Sequence, residues 1–277
     1  MLCYSTGSLP DRFSLSQIAD TLGGTPFGGV ELVFTPSMLV RADEAKYWHA
    51  VRDEFHSKGL AFRNVHLGAP FLMGPETAHK PGLSSLDAAG RARKAQAVYR
   101  ALMVAAFLDC PAVCLTTGLP ETGADPADQA AALQDEIAVL TRGLPGGVRL
   151  YLEQEPEHVI RSAAQMKALA DAFPGRLLLN FDVGHSHVLG EDIGAVLRDL
   201  GPRLANIHLE DIAGRVHQHL LYGEGDVDFD AVFAALHDIG YRGDYTPDLY
   251  PFKEDWKRAM EASLVFLRKH GVLTRAL

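Results

Sequence analysis

RLLLNFDVGHSHV, residues 176–188, is an apolar run that ends in three side chains able to bind a metal ion. The leucines at 177–179 predict a buried strand, because short apolar runs bounded by turn residues are typical of strands inside a parallel sheet. Asp182, His185 and His187 follow this run closely. An ionised carboxylate is costly to bury without a partner, whereas carboxylate oxygen and imidazole nitrogen together suit a divalent metal. The stretch therefore predicts a strand that presents metal ligands at its C-terminal end.

Short apolar or β-branched runs alternate with segments of helical composition along the whole chain. Strands are predicted at 2–6, 29–34, 61–67, 112–117, 148–154, 177–182, 204–209 and 244–249. Helices are predicted at 14–23, 43–58, 87–109, 127–142, 157–172, 191–200, 228–239 and 253–270. Eight βα units in 277 residues predict an α/β fold of the (β/α)8 TIM-barrel type, with a doubly wound open sheet as the alternative. No linker divides the chain, so we predict a single domain over residues 1–277.

Composition narrows the classes of partner. The formal net charge is −9 and no Lys/Arg-rich run occurs, so a nucleic acid is disfavoured as the binding partner. The sequence has no stretch of about eighteen apolar residues, so we predict no membrane span. The first residues do not have the pattern of a signal peptide. Three cysteines form no C-x-x-C pair, so we expect reduced thiols in a cytoplasmic protein. These observations favour a small-molecule partner, and an oligomer is left open.

Polar residues at the strand ends are the candidates for function, because TIM-barrel active sites lie at the C-terminal ends of the strands. In chain order they are Glu31, His66, Glu153, Asp182, His185, His208, Arg215, His217, His219 and Asp248. Glu31 is equally compatible with an interior ion pair. Glu153, Asp182 and His208 are hardest to explain as packing residues, because each closes an apolar run. By contrast, we expect the histidines of helical segments to be surface or packing residues: His49, His56, His158, His237 and His270.

Several short motifs resemble one known superfamily. They are GVELV at 29–33, NVHLG at 64–68, LEQEP at 152–156, the D-x-x-H of Asp182 and His185, the H-x-x-D of His208 and Asp211, and GEGDVDF at 223–229. Together they resemble the xylose-isomerase-like TIM barrels, which comprise sugar isomerases, epimerases, dehydratases and apurinic endonucleases. The resemblance covers nearly the whole chain, and the last three motifs in this order are its most specific part.

The resemblance implies a metal site. In the isomerase and epimerase members, a Glu, an Asp, a His and a final Glu hold one divalent ion. Glu153, Asp182 and His208 match the first three positions, and Asp248 stands where those relatives usually have Glu. The implied cofactor is one divalent metal ion, Mn, Mg or Zn. The shorter side chain at 248 puts its acid/base role in question.

A second ion is a further implication of the resemblance. The endonuclease members hold three zinc ions with additional histidines, and His66, His185, His217 and His219 match four of those positions. His217 stands where those relatives have Asp. Thr116 stands where they have a fourth-strand His, and Thr is a poor zinc ligand. One ion, or at most two, is therefore expected.

The leading hypothesis is a metal-dependent isomerase, epimerase or dehydratase that acts on a sugar, polyol or related hydroxy-carbonyl compound through a metal-stabilised enediolate. Glu153 would remove the carbon-bound proton, and Asp248 would exchange a proton on the opposite side. His185 and Arg215 would orient hydroxyls or stabilise developing negative charge. The segment 69–86 would close over the site and exclude water.

Two other functions stay open. Metal-dependent hydrolysis of a phosphoester, including DNA at abasic sites, is favoured by His66, His217 and His219. It is opposed by Thr116 and by the net charge of −9. The other alternative is a non-catalytic barrel that binds a small metabolite, and its only support is the Asp at position 248.

Overall fold

The computed structural model describes residues 1–68 and 82–273. Its strands are β1 (Cys3–Ser5), β2 (Gly29–Val33), β3 (Ala61–Leu67), β4 (Ala112–Leu115), β5 (Arg149–Glu153), β6 (Leu177–Asp182), β7 (Leu204–Leu209) and β8 (Asp244–Pro247). Its helices are α1 (Leu15–Leu22), α2 (Pro36–Val40), α3 (Ala45–Ser57), α4 (Ala88–Phe107), α5 (Pro126–Arg142), α6 (Ala163–Asp171), α7 (Val183–Leu189), α8 (Ile193–Leu200), α9 (Phe229–Asp238) and α10 (Trp256–Lys269). None of these helices is both long and apolar enough to cross a membrane.

The strands follow one another in the sheet in chain order, from β1 to β8. The described pairings are parallel. Parallel neighbours need a crossover connection, which a helix usually supplies, and every strand here is followed by at least one helix. In each βα unit, the residues at the C-terminal end of the strand therefore lie next to the loop that leads to the helix. The sequence predicts the functional groups at these strand ends.

One compact unit of the chain comprises Met1–Leu32, Asp53–Arg63 and Phe181–Leu277. Within it β1 pairs with β2, and β7 pairs with β8 so that His208 lies beside Thr246. A bridge between Leu2 and Tyr245 joins β8 to β1. The C-terminal ends of β1, β7 and β8 thus belong to this unit, together with the last two residues of β6.

The other compact unit comprises Val33–Arg52 and Asn64–Asn180. Within it β3 pairs with β4, β4 with β5, and β5 with β6. The register sets His66 beside Cys114 and Glu153 beside Asn180. A single domain over residues 1–277 stays a prediction.

Helix α6 begins later than the sequence predicts. Ser162 and Gln165 form a capping box, in which each side chain accepts a hydrogen bond from the other residue's backbone N–H. This cap starts the helix at Ala163 rather than at 157. His158 therefore lies in a loop, where its buried ring accepts a hydrogen bond from the N–H of Gly118 at 3.3 Å. The expectation of a packing residue fits, but the expected helix does not.

Helix α7 is short and was not expected from the sequence. Asp182 ends β6 and caps the helix, because its Oδ1 accepts a hydrogen bond from the N–H of His185 at 2.9 Å. The helix ends at Gly190, which adopts a φ of +76° that favours glycine. One acidic residue thus closes the strand and fixes the first turn of the helix that carries His185.

Candidate metal and active site

His208 is held by a buried hydrogen bond to Glu31. His208 Nε2 lies 2.8 Å from Glu31 Oε2, and each side chain is 1% exposed. A carboxylate that accepts from one ring nitrogen fixes the orientation of the imidazole. Nδ1 of His208 then faces two acidic groups, at 3.8 Å from Oδ2 of Asp182 and 3.9 Å from Oδ2 of Asp248. These separations are too long for hydrogen bonds but compatible with ligand atoms that share one ion.

Asp182 serves two neighbours with its two oxygens. Oδ1 caps α7, as described above, and Oδ2 faces His208 and also lies 3.8 Å from Nε2 of His185. The side chain is completely buried. The fixed cap directs Oδ2 toward the imidazoles, so Asp182 is well placed to be a metal ligand.

Asp248 lies beside two imidazoles. Its Oδ2 is 3.5 Å from Nδ1 of His219 and 3.9 Å from Nδ1 of His208. Burial raises the pKa of Asp248, while His219 and His208 oppose that shift. The backbone carbonyl of Asp248 accepts a hydrogen bond from Nδ1 of His219 at 2.8 Å. This bond leaves Nε2 of His219 as its second nitrogen for another partner.

Three imidazoles converge next to this cluster. Nε2 of His217 lies 3.0 Å from Nε2 of His185 and 3.3 Å from Nε2 of His219. Nitrogens bound to one tetrahedral zinc ion at about 2.0–2.1 Å are separated by roughly 3.3 Å. His185 and His219 are buried, whereas His217 is exposed. The three nitrogens therefore have the spacing of a three-histidine metal site that opens to solvent on one side.

The other compact unit carries a hydrogen-bonded pair of candidate groups, His66 and Glu153. Nε2 of His66 is 2.6 Å from Oε2 of Glu153, and both side chains are buried. One ligand atom from each of them and the sulfur of Cys114 lie within 4.8 Å of one another. Thr116 is the residue that directly follows β4. It is buried and does not belong to this group of ligand atoms. His66 thus fixes the carboxylate of Glu153 where β5 ends.

Glu210 is a buried acid that the sequence reasoning missed. Its side chain is fully buried, and neither carboxylate oxygen has a hydrogen-bond partner among the described residues. Burial raises the pKa of Glu210 well above its usual range, and the neighbouring carboxylate of Asp182 adds to the shift. Alternation along β7 could have identified it, because residues two apart on a strand share a face and His208 was already a candidate.

Asp211 has a structural role in the H-x-x-D motif. Its Oδ2 accepts hydrogen bonds from the N–H groups of Gly223 at 2.7 Å and Gly225 at 3.0 Å, and Oδ1 accepts from Val227 at 3.2 Å. A Cβ at position 225 would collide with Ile212 and with Oδ1 of Asp211. The GEGDVDF motif is therefore a loop wrapped around the Asp211 carboxylate.

Arg215 lies on the surface beside the end of α7. Its guanidinium donates a hydrogen bond to the carbonyl of His187, and the side chain is exposed. His187 itself bonds through Nε2 to Asp226 at 2.9 Å. Arg215 therefore interacts with the C-terminal end of the helix that carries His185, and its catalytic role stays a prediction.

The covering segment predicted at 69–86 lies mainly outside the described residues, which resume at 82. Ser84 donates a hydrogen bond to the carbonyl of Thr117 at 2.8 Å, and Ser85 bonds to Glu121 at 2.5 Å. The described end of the segment is thus tied to the loop that follows β4.

The donor chemistry of the strand-end residues fits a divalent cation. Nδ1 of His208 faces the carboxylates of Asp182 and Asp248, and the partnerless oxygens of Glu210 lie in the same buried region. The charges that act most on Asp248 and Glu210 belong to carboxylates and imidazoles. A group of buried acids of this kind is stabilised by a cation, and mixed oxygen and nitrogen donors suit Mn²⁺, Zn²⁺ or Mg²⁺.

Curated proteins with related sequences match limited stretches of the chain. L-ribulose 3-epimerase of Mesorhizobium japonicum is 30% identical over 102 residues, which is 35% of this chain and 33% of that protein. Inosose dehydratase of Clostridium perfringens is 27% identical over 115 residues, which is 35% of this chain and 39% of that protein. The chain thus spans about a third of the length of these curated relatives.

Solved structures resemble the chain over nearly its whole length. D-psicose 3-epimerase has a TM-score of 0.78 at 19% identity, covering 98% of this chain and 99% of that one. The IolI protein with a bound zinc atom has a TM-score of 0.79 at 15% identity, covering 97% and 98%. An AP endonuclease of family 2 from Brucella melitensis has a TM-score of 0.72 at 17% identity, covering 90% and 92%. At these identities the likeness shows the fold alone.

A sequence model described as the xylose isomerase-like TIM barrel matches residues 17–270. The match covers most of the 277 residues and confirms the predicted (β/α)8 barrel. The chain belongs to the xylose isomerase-like TIM barrel family.

Proposed function

We propose that the protein is a metal-dependent isomerase or epimerase, or a dehydratase, that acts on a sugar, a polyol or a related hydroxy-carbonyl compound. The observation that carries this proposal is the orientation of His208, whose Nδ1 faces the carboxylates of Asp182 and Asp248 while Glu31 holds Nε2. The similarity to an L-ribulose 3-epimerase and an inosose dehydratase supports a small sugar or polyol as substrate.

The proposed metal ligands are Glu153, Asp182, His208 and Asp248. Glu153 and Asp182 end β5 and β6, His208 is the penultimate residue of β7, and Asp248 follows β8. A divalent ion bound there would polarise a carbonyl and its neighbouring hydroxyl, which lowers the cost of removing a carbon-bound proton. Mn²⁺, Mg²⁺ and Zn²⁺ all accept this combination of donors. Zinc has the added support of the bound zinc atom in the IolI structure.

In the proposed reaction, Glu153 removes a proton from the carbon next to the carbonyl. His66 supports this role, because its Nε2 lies 2.6 Å from Oε2 of Glu153 and holds the carboxylate in one orientation. Removal of the proton gives an enediolate, and Asp248 exchanges a proton on the opposite face. His185 orients a substrate hydroxyl, and Arg215 assists there if it leaves its contact with α7.

A second candidate function is metal-dependent hydrolysis of a phosphoester. The three-histidine cluster of His185, His217 and His219 favours it, because a second ion a short distance from the first is typical of phosphoesterases. Thr116 at the β4 position and the net charge of −9 oppose a trinuclear site acting on DNA. In the isomerase proposal, the same cluster holds a second ion or binds substrate.

Metal analysis and proton exchange test the proposal. Purified wild type should retain at least one divalent ion per chain, and Asp182→Ala should lose it. Asp230→Ala is the matched control, because Asp230 is exposed (92%) and lies outside the cluster. With metal bound, wild type should incorporate deuterium from heavy water into ketoses or their phosphates, and Glu153→Gln should not.

Two results would count against the proposal. Full metal content in Asp182→Ala would remove Asp182 from the ligand set. Absence of deuterium incorporation by metal-loaded wild type over a panel of sugars, combined with cleavage of a phosphodiester or an abasic-site oligonucleotide, would favour the hydrolase instead.

A further inference from the structure

Glu210 and Asp248 occupy neighbouring positions on adjacent strands. The parallel register of β7 and β8 sets His208 beside Thr246 and Leu209 beside Pro247. The N–H of Asp248 donates to the carbonyl of Leu209 at 3.0 Å, which continues the ladder past the last paired residues. Glu210 therefore follows β7 and Asp248 follows β8 at neighbouring positions. Glu210 lies two residues after His208, and Asp248 lies two residues after Thr246.

Glu210 is buried and the side chain of Asp248 is 20% exposed, and the two neighbouring carboxylates repel one another when both are ionised. Directly opposed like charges destabilise a sheet, and a buried charge without a partner costs more than an exposed one. Glu210 is fully buried, and among the described residues no hydrogen-bond donor reaches either of its oxygens. Asp182, Asp248 and His208 are the charged groups that act most on it. These residues supply no fixed positive charge, so either a proton held between Glu210 and Asp182 or a bound cation would balance the carboxylates.

The chain also makes room for this carboxylate. Gly184 lies in the first turn of α7, and a Cβ at that position would collide with Oε1 of Glu210 and crowd Ile212. The absence of a side chain at 184 therefore lets the Glu210 carboxylate sit against the helix that Asp182 caps. Oε1 of Glu210 thus lies next to the backbone that positions both Asp182 and His185.

We propose that Glu210 is a further carboxylate ligand of the divalent cation that Asp182, His208 and Asp248 hold. This inference rests on the metal dependence in the proposed function and adds a residue to the ligand set given there. The cation removes the repulsion between Glu210 and Asp248. The buried carboxylate of Glu210 in turn raises the affinity for the cation by binding it directly.

The test is titration of metal-free protein with Mn²⁺ by calorimetry, with the Mn²⁺-induced rise in melting temperature as a second readout. Glu210→Gln keeps the size of the side chain but removes the charge, and we expect at least tenfold weaker binding and a smaller rise. Glu261→Gln removes one exposed glutamate charge from α10 and should bind as wild type does. Circular dichroism of the metal-free variants verifies that each one folds.

Gly184→Ala provides an independent variant should Glu210→Gln fail to fold. It displaces the Glu210 carboxylate without changing the charge, and we expect at least a tenfold loss of Mn²⁺ affinity from it as well. A folded Glu210→Gln protein that loses less than tenfold overturns the inference and leaves the proposed function standing. Wild type that takes up neither Mn²⁺, Zn²⁺ nor Mg²⁺ overturns both.

Discussion

Oε2 of Glu31 lies 2.8 Å from Nε2 of His208, and this contact leaves Nδ1 as the nitrogen that faces Asp182 and Asp248. Glu31 is therefore expected to position the imidazole rather than to bind the ion. Glu31→Ala should weaken Mn²⁺ binding by about 10- to 100-fold, because partners that orient a ligand histidine typically contribute that much.

Glu31→Gln is the matched variant, since its amide oxygen still accepts a hydrogen bond from His208. It should recover most of the affinity that Glu31→Ala loses, as measured by calorimetry on metal-free protein. Equal affinities for wild type and Glu31→Ala would contradict a positioning role.

Asp248→Glu should weaken metal binding and turnover together. The backbone of Asp248 is fixed on both sides, because its N–H donates to Leu209 and its carbonyl accepts from His219 at 2.8 Å. An added methylene would therefore push the carboxylate toward His208, which is already 3.9 Å away. Misplacement by about 1 Å can cost about a hundredfold in rate. Deuterium incorporation and Mn²⁺ titration measure the two effects, and intact metal binding with faster exchange would show that the loop had room to spare.

His217→Ala should remove a second ion and leave the first. Its Nε2 lies within 3.3 Å of Nε2 of both His185 and His219, so it completes the three-histidine cluster. His217→Asp supplies a carboxylate in its place and should retain the ion. The measurement is the number of zinc ions per chain after dialysis against dilute zinc. The same ion count in wild type and His217→Ala would exclude this cluster as a metal site.

Gly225→Ala should destabilise the fold independently of any metal. A Cβ at 225 would collide with the carbonyl of Ile212 and the carboxylate of Asp211, so the loop must move and lose hydrogen bonds to Asp211. We expect a loss of about 1–3 kcal/mol in the free energy of unfolding, measured with urea on metal-free protein. Gly146→Ala is the control, because nothing lies within 4 Å of a Cβ there, and an equal effect from both changes would refute the collision.

The sequence predicts the strands well because most of them are short apolar or β-branched runs, as RLLLNFD shows for β6. The same reasoning identified Asp182 and His208, which the fold brings into one buried cluster. Asp211 entered only through the H-x-x-D motif, and its carboxylate accepts hydrogen bonds from loop N–H groups. The loop that wraps around Asp211 depends on backbone positions more than ten residues away, which residue types alone do not reveal.

Glu210 and α7 were missed for different reasons. Strand alternation would have placed Glu210 on the face of His208, but the H-x-x-D pattern directed attention to Asp211. Helix α7 has only seven residues and begins directly after β6, so the segment is too short to show a helical periodicity of apolar residues. Its existence depends on the cap by Asp182, a residue whose predicted role was that of a ligand.

The unequal exposure of the three clustered histidines has a kinetic consequence. His185 and His219 are buried, and only His217 faces solvent. An ion at this cluster would enter and leave past the exposed side chain of His217, whereas an ion against Asp182 and His208 would contact buried groups. A chelator would therefore remove the ion at the three-histidine cluster and the ion at Asp182 and His208 at different rates. After the available metal changes, the residence time of each ion, rather than its equilibrium affinity, would decide which metal the protein carries.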